Sequence, residues 1–224
     1  MSSPERSLEI PEISNSELFS ANNACPTIRS AARLLANNSP AGVIDLSSVR
    51  HLKPYQIAII AAITLNDRRL GRSLTYCPPR DERVRNHLER LRLPGIILDS
   101  HCEPALARKT NLPIQNLLGR PDQSFGWETT DVLISELGRD LPAGVSNQIA
   151  CGIDEMVLNA ATHAYSEIGC IVVGQAFPQS SRVEVAVLDL GITIRGHLSR
   201  RFNELADDAT AIQKAMEDGV TGTI

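Results

Sequence analysis

The stretch Asp154-Glu155-Met156-Val157-Leu158-Asn159-Ala160-Ala161-Thr162-His163-Ala164 most constrains how this chain can fold. A carboxylate, an amide and an imidazole recur at four-residue steps. In a helix of 3.6 residues per turn such positions drift by only about 40° per step, so Glu155, Asn159 and His163 project from neighbouring turns of one face. Ile153, Met156, Val157, Ala160, Ala161 and Ala164 supply an apolar remainder, which predicts a helix packed on a core with three polar groups along its edge. A β-hairpin is predicted next. Cys170 to Phe177 and Arg182 to Leu188 are rich in β-branched residues, and Pro178-Gln179-Ser180-Ser181 between them has turn chemistry. The second strand runs into Asp189-Leu190-Gly191, where an acceptor-only carboxylate stands beside backbone that a flat ring can approach closely. Such a carboxylate suits a purine amino group.

Taken singly, these features also fit blander roles. Glu155, Asn159 and His163 could be a solvated helix edge, Asp189 an ordinary turn residue, and His163 a satisfied histidine at the border of a core. Their order gives them weight. The pattern E-x-x-x-N-A-x-x-H-A, then a hairpin, then D-x-G, resembles the N box and first glycine box of the Bergerat-fold ATPases, the GHKL superfamily of gyrase, histidine kinases and anti-sigma serine kinases. It is most similar to the last of these, and the resemblance covers residues from about 125 to 224.

The resemblance implies an α/β sandwich of the Bergerat ATPase type and a set of roles by motif position. Glu155 would be the polarising catalytic base, Asn159 the Mg²⁺ ligand, His163 a residue near the phosphates, and Asp189 the adenine-reading acid, with Gly191 beside it. The implied cofactors are ATP and Mg²⁺. Those roles are chemically coherent, because nucleotide-bound Mg²⁺ takes few protein oxygens and phosphoryl transfer asks mainly for positioning and charge neutralisation. Two departures accompany the match. Thr193 stands where the family tends to carry the second glycine of D-x-G-x-G, and no later glycine-rich G-x-G-L segment follows to cradle the phosphates with backbone N–H groups. The expectation is therefore a shortened domain over 124–224, in which 197–224, with a helix over Ala206 to Glu217, takes the place of the lid. Its sheet would have an edge open to pairing, including pairing in a homodimer.

The first half reads differently. Residues 1–22, rich in Ser, Glu, Pro and Asn, are expected to be a flexible lead-in. Over 23–103, helical spacing at Ile28 to Ala36 is followed by an apolar strand at Gly42 to Leu46. A helix then opens at Pro54 and runs through Leu65, before a strand at Ser73 to Cys77 and a helix from Asp81 to about Leu91. Alternating strands and helices predict a small α/β layer. Val43 to Val49 with the helix from Pro54 resembles the STAS domain of anti-sigma antagonists. Leu52-Lys53-Pro54-Tyr55 stands where that family carries a phosphorylatable serine, so the half is read as a docking or scaffold domain. Pro104, Pro113, Gly119 and Pro121 place a linker at 104–123. The fold expected is thus α/β in two small domains.

Composition narrows the function classes. A net charge of −4 argues against a general nucleic-acid or anionic-membrane surface. The arginines between Arg68 and Arg92 are interleaved with Asp67, Asp81, Glu82 and Glu89, which predicts a salt-bridged face. Five cysteines without a C-x-x-C read as reduced thiols in the cytoplasm, and the apolar run Ile57 to Leu65 is too short to span a bilayer. The resulting expectation is a cytoplasmic ATP-binding regulatory protein resembling anti-sigma serine/threonine kinases. Its partner would be a regulatory protein, a sigma factor or antagonist-like protein. The alternative expectation is a non-catalytic interaction module that has lost ATP binding.

Overall fold

The structure is a computed structural model and describes residues 6–8, 26–37, 41–100, 111–122, 124–137, 141–142, 144–202, 205–217 and 219–220. The protein is mixed α/β, with two three-stranded sheets among the described residues. The first sheet is parallel, in the order β1 (Arg6–Leu8), β2 (Ala41–Asp45), β3 (Ser73–Cys77). Parallel strands need a crossover, and α1 (Pro26–Ala36) and α2 (Pro54–Arg69) provide the two. Pro54 opens α2 where a missing N–H costs nothing, and the Gln56 side chain accepts a hydrogen bond from the Lys53 N–H at 2.9 Å. After β3, the Asp81 carboxylate caps α3 (Glu82–Arg90) by accepting from the Arg83 N–H at 2.8 Å, and α4 (Leu93–Leu98) follows.

The second sheet is antiparallel, ordered β4 (Asn111–Leu117), β5 (Cys170–Phe177), β6 (Arg182–Asp189). The hairpin β5–β6 is the one expected from the β-branched runs and the turn residues between them. Helices α5 (Phe125–Ile134), extended by a 3₁₀ turn over Ser135–Leu137, and α6 (Val145–Thr162) lie on one face, followed by α7 (Ile194–Leu198) and α8 (Asp208–Ala215). Gly126 sets the close approach of α5 to α6. A Cβ there would run into the Ala150 carbonyl, and the Gly126 N–H instead donates to the Asp154 carboxylate at 2.6 Å.

The two sheets meet through α2. Ile57, Ile60, Ala61 and Ile63 are all buried, as are Ala58 and Ala62, so this helix is apolar on every side. It packs against β3 on one side and against β5 and β6 on the other, and Ile171, Val173, Ala186 and Leu188 belong to the same core as Ile44 and Leu46. Alternate residues of the same strands, Cys170, Val172, Val185 and Val187, face the other way into a second core with Ile153 and Val157 of α6. That alternation explains why β5 reads as a continuous apolar run: both faces of the sheet are covered.

Two sequence expectations need correction. Residues 111–117, placed in the linker, form an edge strand, and Arg6–Leu8, placed in the lead-in, form β1. Residues 101–110 and the remainder of 1–22 lie outside the described residues. The expected boundary at 104–123 therefore does not divide two separate cores, because α2 supplies apolar surface to both sheets. The arginine-rich segment is engaged within the molecule. Arg68 pairs with Asp99 at 3.1 Å, Arg72 with the fully buried Asp67 at 3.3 Å, Arg69 with Glu167, and Arg85 donates to the Pro79 and Arg80 carbonyls at 2.8 Å. No helix among the described residues is long and apolar enough to cross a membrane.

Candidate functional site

The C-terminal end of α6 and the outgoing end of β6 lie together, and the contact is made by backbone. The Ile192 N–H donates to the Ala164 carbonyl at 2.6 Å, and a Cβ on Gly191 would collide with that same carbonyl. Gly191 is thus demanded by the chain's own close approach, rather than by room for a ring as the sequence suggested. The Asp189 carboxylate accepts from the Gly191 N–H at 2.8 Å and shapes the turn, and the Leu190 N–H donates to the Ser166 hydroxyl at 3.3 Å.

A cavity of about 770 Å³ opens beside this junction. Asn159, His163, Asp189 and Gly191, four of the five residues selected from the sequence, line it. Glu155 does not, and it is exposed. The reason is angular: about 40° of drift per four-residue step becomes about 80° between Glu155 and His163. His163 is also the C-cap of α6, its N–H donating to the Asn159 carbonyl at 3.0 Å. Met156, expected in the core, is 50% exposed and lines the cavity, three residues before Asn159 on the same stripe.

The lining includes residues that the sequence did not select for the site. Val187, Ile192, Ile194, Leu198 and Val220 join Met156 as apolar wall, and Thr193 and His197 add polar groups. Thr193 acts locally. Its hydroxyl accepts from the Gly196 N–H at 3.1 Å and caps α7. His197 is carried to the cavity by that short helix. Its ring centroid stands 4.9 Å from that of His163 and its ring is stacked on Tyr165 at 5.8 Å, while the Arg200 guanidinium lies over the Tyr165 ring at 4.1 Å. Tyr165, two residues beyond the C-cap of α6, adopts a left-handed backbone conformation with φ of 53°. A threonine before a short helix was a visible capping signal. Nothing in local spacing connects His197 to His163.

Electrostatics at the junction follow from burial. Burial holds the His197 imidazole below its usual range, and the nearby His163 and Arg200 add to the effect. Burial also pushes the Cys170 thiol up to about 12, helped by the charge of Asp189, its cross-strand partner. Cys77, Cys151 and Cys170 are free thiols, and Cys25 and Cys102 lie outside the described residues.

The residues present fit part of a magnesium nucleotide. The volume is in the range of small-molecule sites, the walls are largely apolar, and Asp189 offers an acceptor. Asn159 can give one oxygen to a Mg²⁺ whose other ligands are phosphates and waters. The described residues contain no group of three or more His, Cys, Asp or Glu that could hold a metal ion. Besides Asp189, the polar side chains of the lining among the described residues are Asn159, His163, Thr193 and His197. No family model, curated protein or solved structure matches the chain.

Proposed function

We propose that this chain is an ATP-binding regulatory protein similar to the anti-sigma serine/threonine kinases, with Mg²⁺ bound alongside the nucleotide. The observation that supports it is the meeting of Asn159, His163, Asp189 and Gly191, from a helix end and the far end of a hairpin, around one cavity of about 770 Å³. In this reading Asp189 accepts from the adenine amino group, the apolar wall with Met156 covers the ring, Asn159 reaches the Mg²⁺, and His163 stands near the phosphates. Phosphoryl transfer to a regulatory partner, a sigma factor or antagonist-like protein, belongs to the same proposal in its stronger form. Glu155 would then serve as base only after a movement that brings it to the cavity.

The position of Glu155 outside the cavity favours a second reading, a non-catalytic interaction module. Calorimetric titration with ATP, with and without Mg²⁺, separates the two. The proposal expects Mg²⁺-dependent binding that Asn159→Ala weakens at least about tenfold, the loss of one metal-directed oxygen. Absence of heat at millimolar ATP, from a protein shown to be folded, contradicts it and leaves the module.

A further inference from the structure

We propose that His163 and His197 form a two-imidazole site for a divalent transition metal of the zinc class on the wall of the same cavity. Both residues line it, and their ring centroids are 4.9 Å apart with the planes inclined at 58°. Two imidazoles sharing one tetrahedral zinc at ordinary nitrogen–metal distances place their centroids about 5 Å apart. His197 is only 8% exposed, and its Nδ1 is buried with no hydrogen-bond partner among the described residues. A buried ring nitrogen without a partner is a group that a metal would satisfy.

The scaffold holds the pair in place. The His163 N–H is bonded to the Asn159 carbonyl at 3.0 Å, the His197 N–H to the Thr193 carbonyl at 2.9 Å, and the two segments are tied by Ile192 to Ala164 at 2.6 Å. Tyr165 stacks on the His197 ring at 5.8 Å and restricts its rotation. Imidazole nitrogens select zinc, copper, nickel or cobalt over magnesium, which prefers oxygen, so this site is chemically distinct from one at Asn159. With two protein ligands, one fewer than a catalytic zinc site ordinarily has, the remaining positions would be taken by water or by an anionic ligand. Arg200, over Tyr165, opposes a cation here and limits the affinity.

The test is a titration of the full chain with Zn²⁺ alone, without nucleotide, in competition with a chromophoric chelator. It stands or falls independently of ATP binding. The site predicts one Zn²⁺ per chain, with affinity reduced at least about tenfold in His163→Ala and in His197→Ala, each losing one of two ligands. His51→Ala leaves it unchanged, Arg200→Ala tightens it about two- to fivefold by removing a like charge, and millimolar Mg²⁺ does not compete. Histidine ring ¹⁵N spectra of the unaltered protein give a second readout that needs no variant to fold: Zn²⁺ shifts the His163 and His197 nitrogens. No zinc binding, or binding indifferent to both histidine substitutions with no ring shifts at these residues, overturns the proposal.

Discussion

The two faces of the antiparallel sheet are made from the same strands and do opposite things. Towards α2, Ile171, Val173, Ala186 and Leu188 meet a helix that is apolar all round, and the contact is closed. Towards α6, Val172, Val185 and Val187 meet a helix with one apolar stripe. Where that stripe runs out, at Met156, Asn159 and His163, the layers part into the cavity. The difference lies in the helices. A fully apolar helix can only be buried, whereas an amphipathic one leaves a polar border at which a ligand can be met.

Opening the closed face should erase this contrast at the greatest cost. Ile60 is fully buried in α2, and Ile60→Ala is expected to cost about 2–5 kcal/mol in denaturant unfolding. Because α2 packs on both sheets, tryptophan fluorescence from Trp127 on α5 and far-ultraviolet dichroism should report one shared transition. Two separated transitions would mean that the halves are independent.

Acid provides the next largest effect, and it too is carried by the closed side. Burial, with Arg90 and His51 nearby, lowers the pKa of His87 on α3 to about 4. Below about pH 6.5 the unfolded chain takes up a proton that the folded chain refuses. Stability is therefore complete above 6.5 and falls as the pH drops towards 4, by at most about 3 kcal/mol. His87→Gln should flatten most of this slope in unfolding measured as a function of pH. His197→Gln, at the cavity, should remove a smaller part of the same sign.

On the open face, Gly191→Ala forces a methyl against the Ala164 carbonyl and should cost about 1–3 kcal/mol, with a lowered melting temperature. Asp189→Asn keeps an oxygen that can accept from the Gly191 N–H, so stability should move by less than about 1 kcal/mol. ATP affinity should nevertheless fall about tenfold, as a charged acceptor is lost. Met156→Ala should be the mildest, within about 1 kcal/mol in stability because the side chain is half exposed.

Local chemistry made much of this architecture legible. Pro54 and the apolar residues behind it announced α2, Asp81 announced the start of α3, and the Pro178-Gln179-Ser180-Ser181 turn announced the hairpin. β4 was hidden because Pro113 reads as a breaker. It sits in an edge strand, where the register shifts between Leu112 and Gln115, and a proline is tolerated there. The site divided in the same manner. Asn159 and His163 were visible as a helical stripe and Asp189 as a strand end. The inclusion of His197 depends on a backbone contact between Ala164 and Ile192 that no local pattern encodes. That Glu155 does not line the cavity shows the limit of a four-residue spacing, since the stripe rotates away from any fixed target.

Whether the open face receives a magnesium nucleotide is decided by backbone amide mapping of the ¹⁵N-labelled chain during titration with ATP and Mg²⁺. Binding in the cavity should give saturable shifts at Asn159, His163 and Asp189 through His197, with Ile57 to Ile63 of α2 unmoved. Unchanged spectra at millimolar nucleotide, or shifts confined to residues away from the cavity, would show that the nucleotide does not bind there.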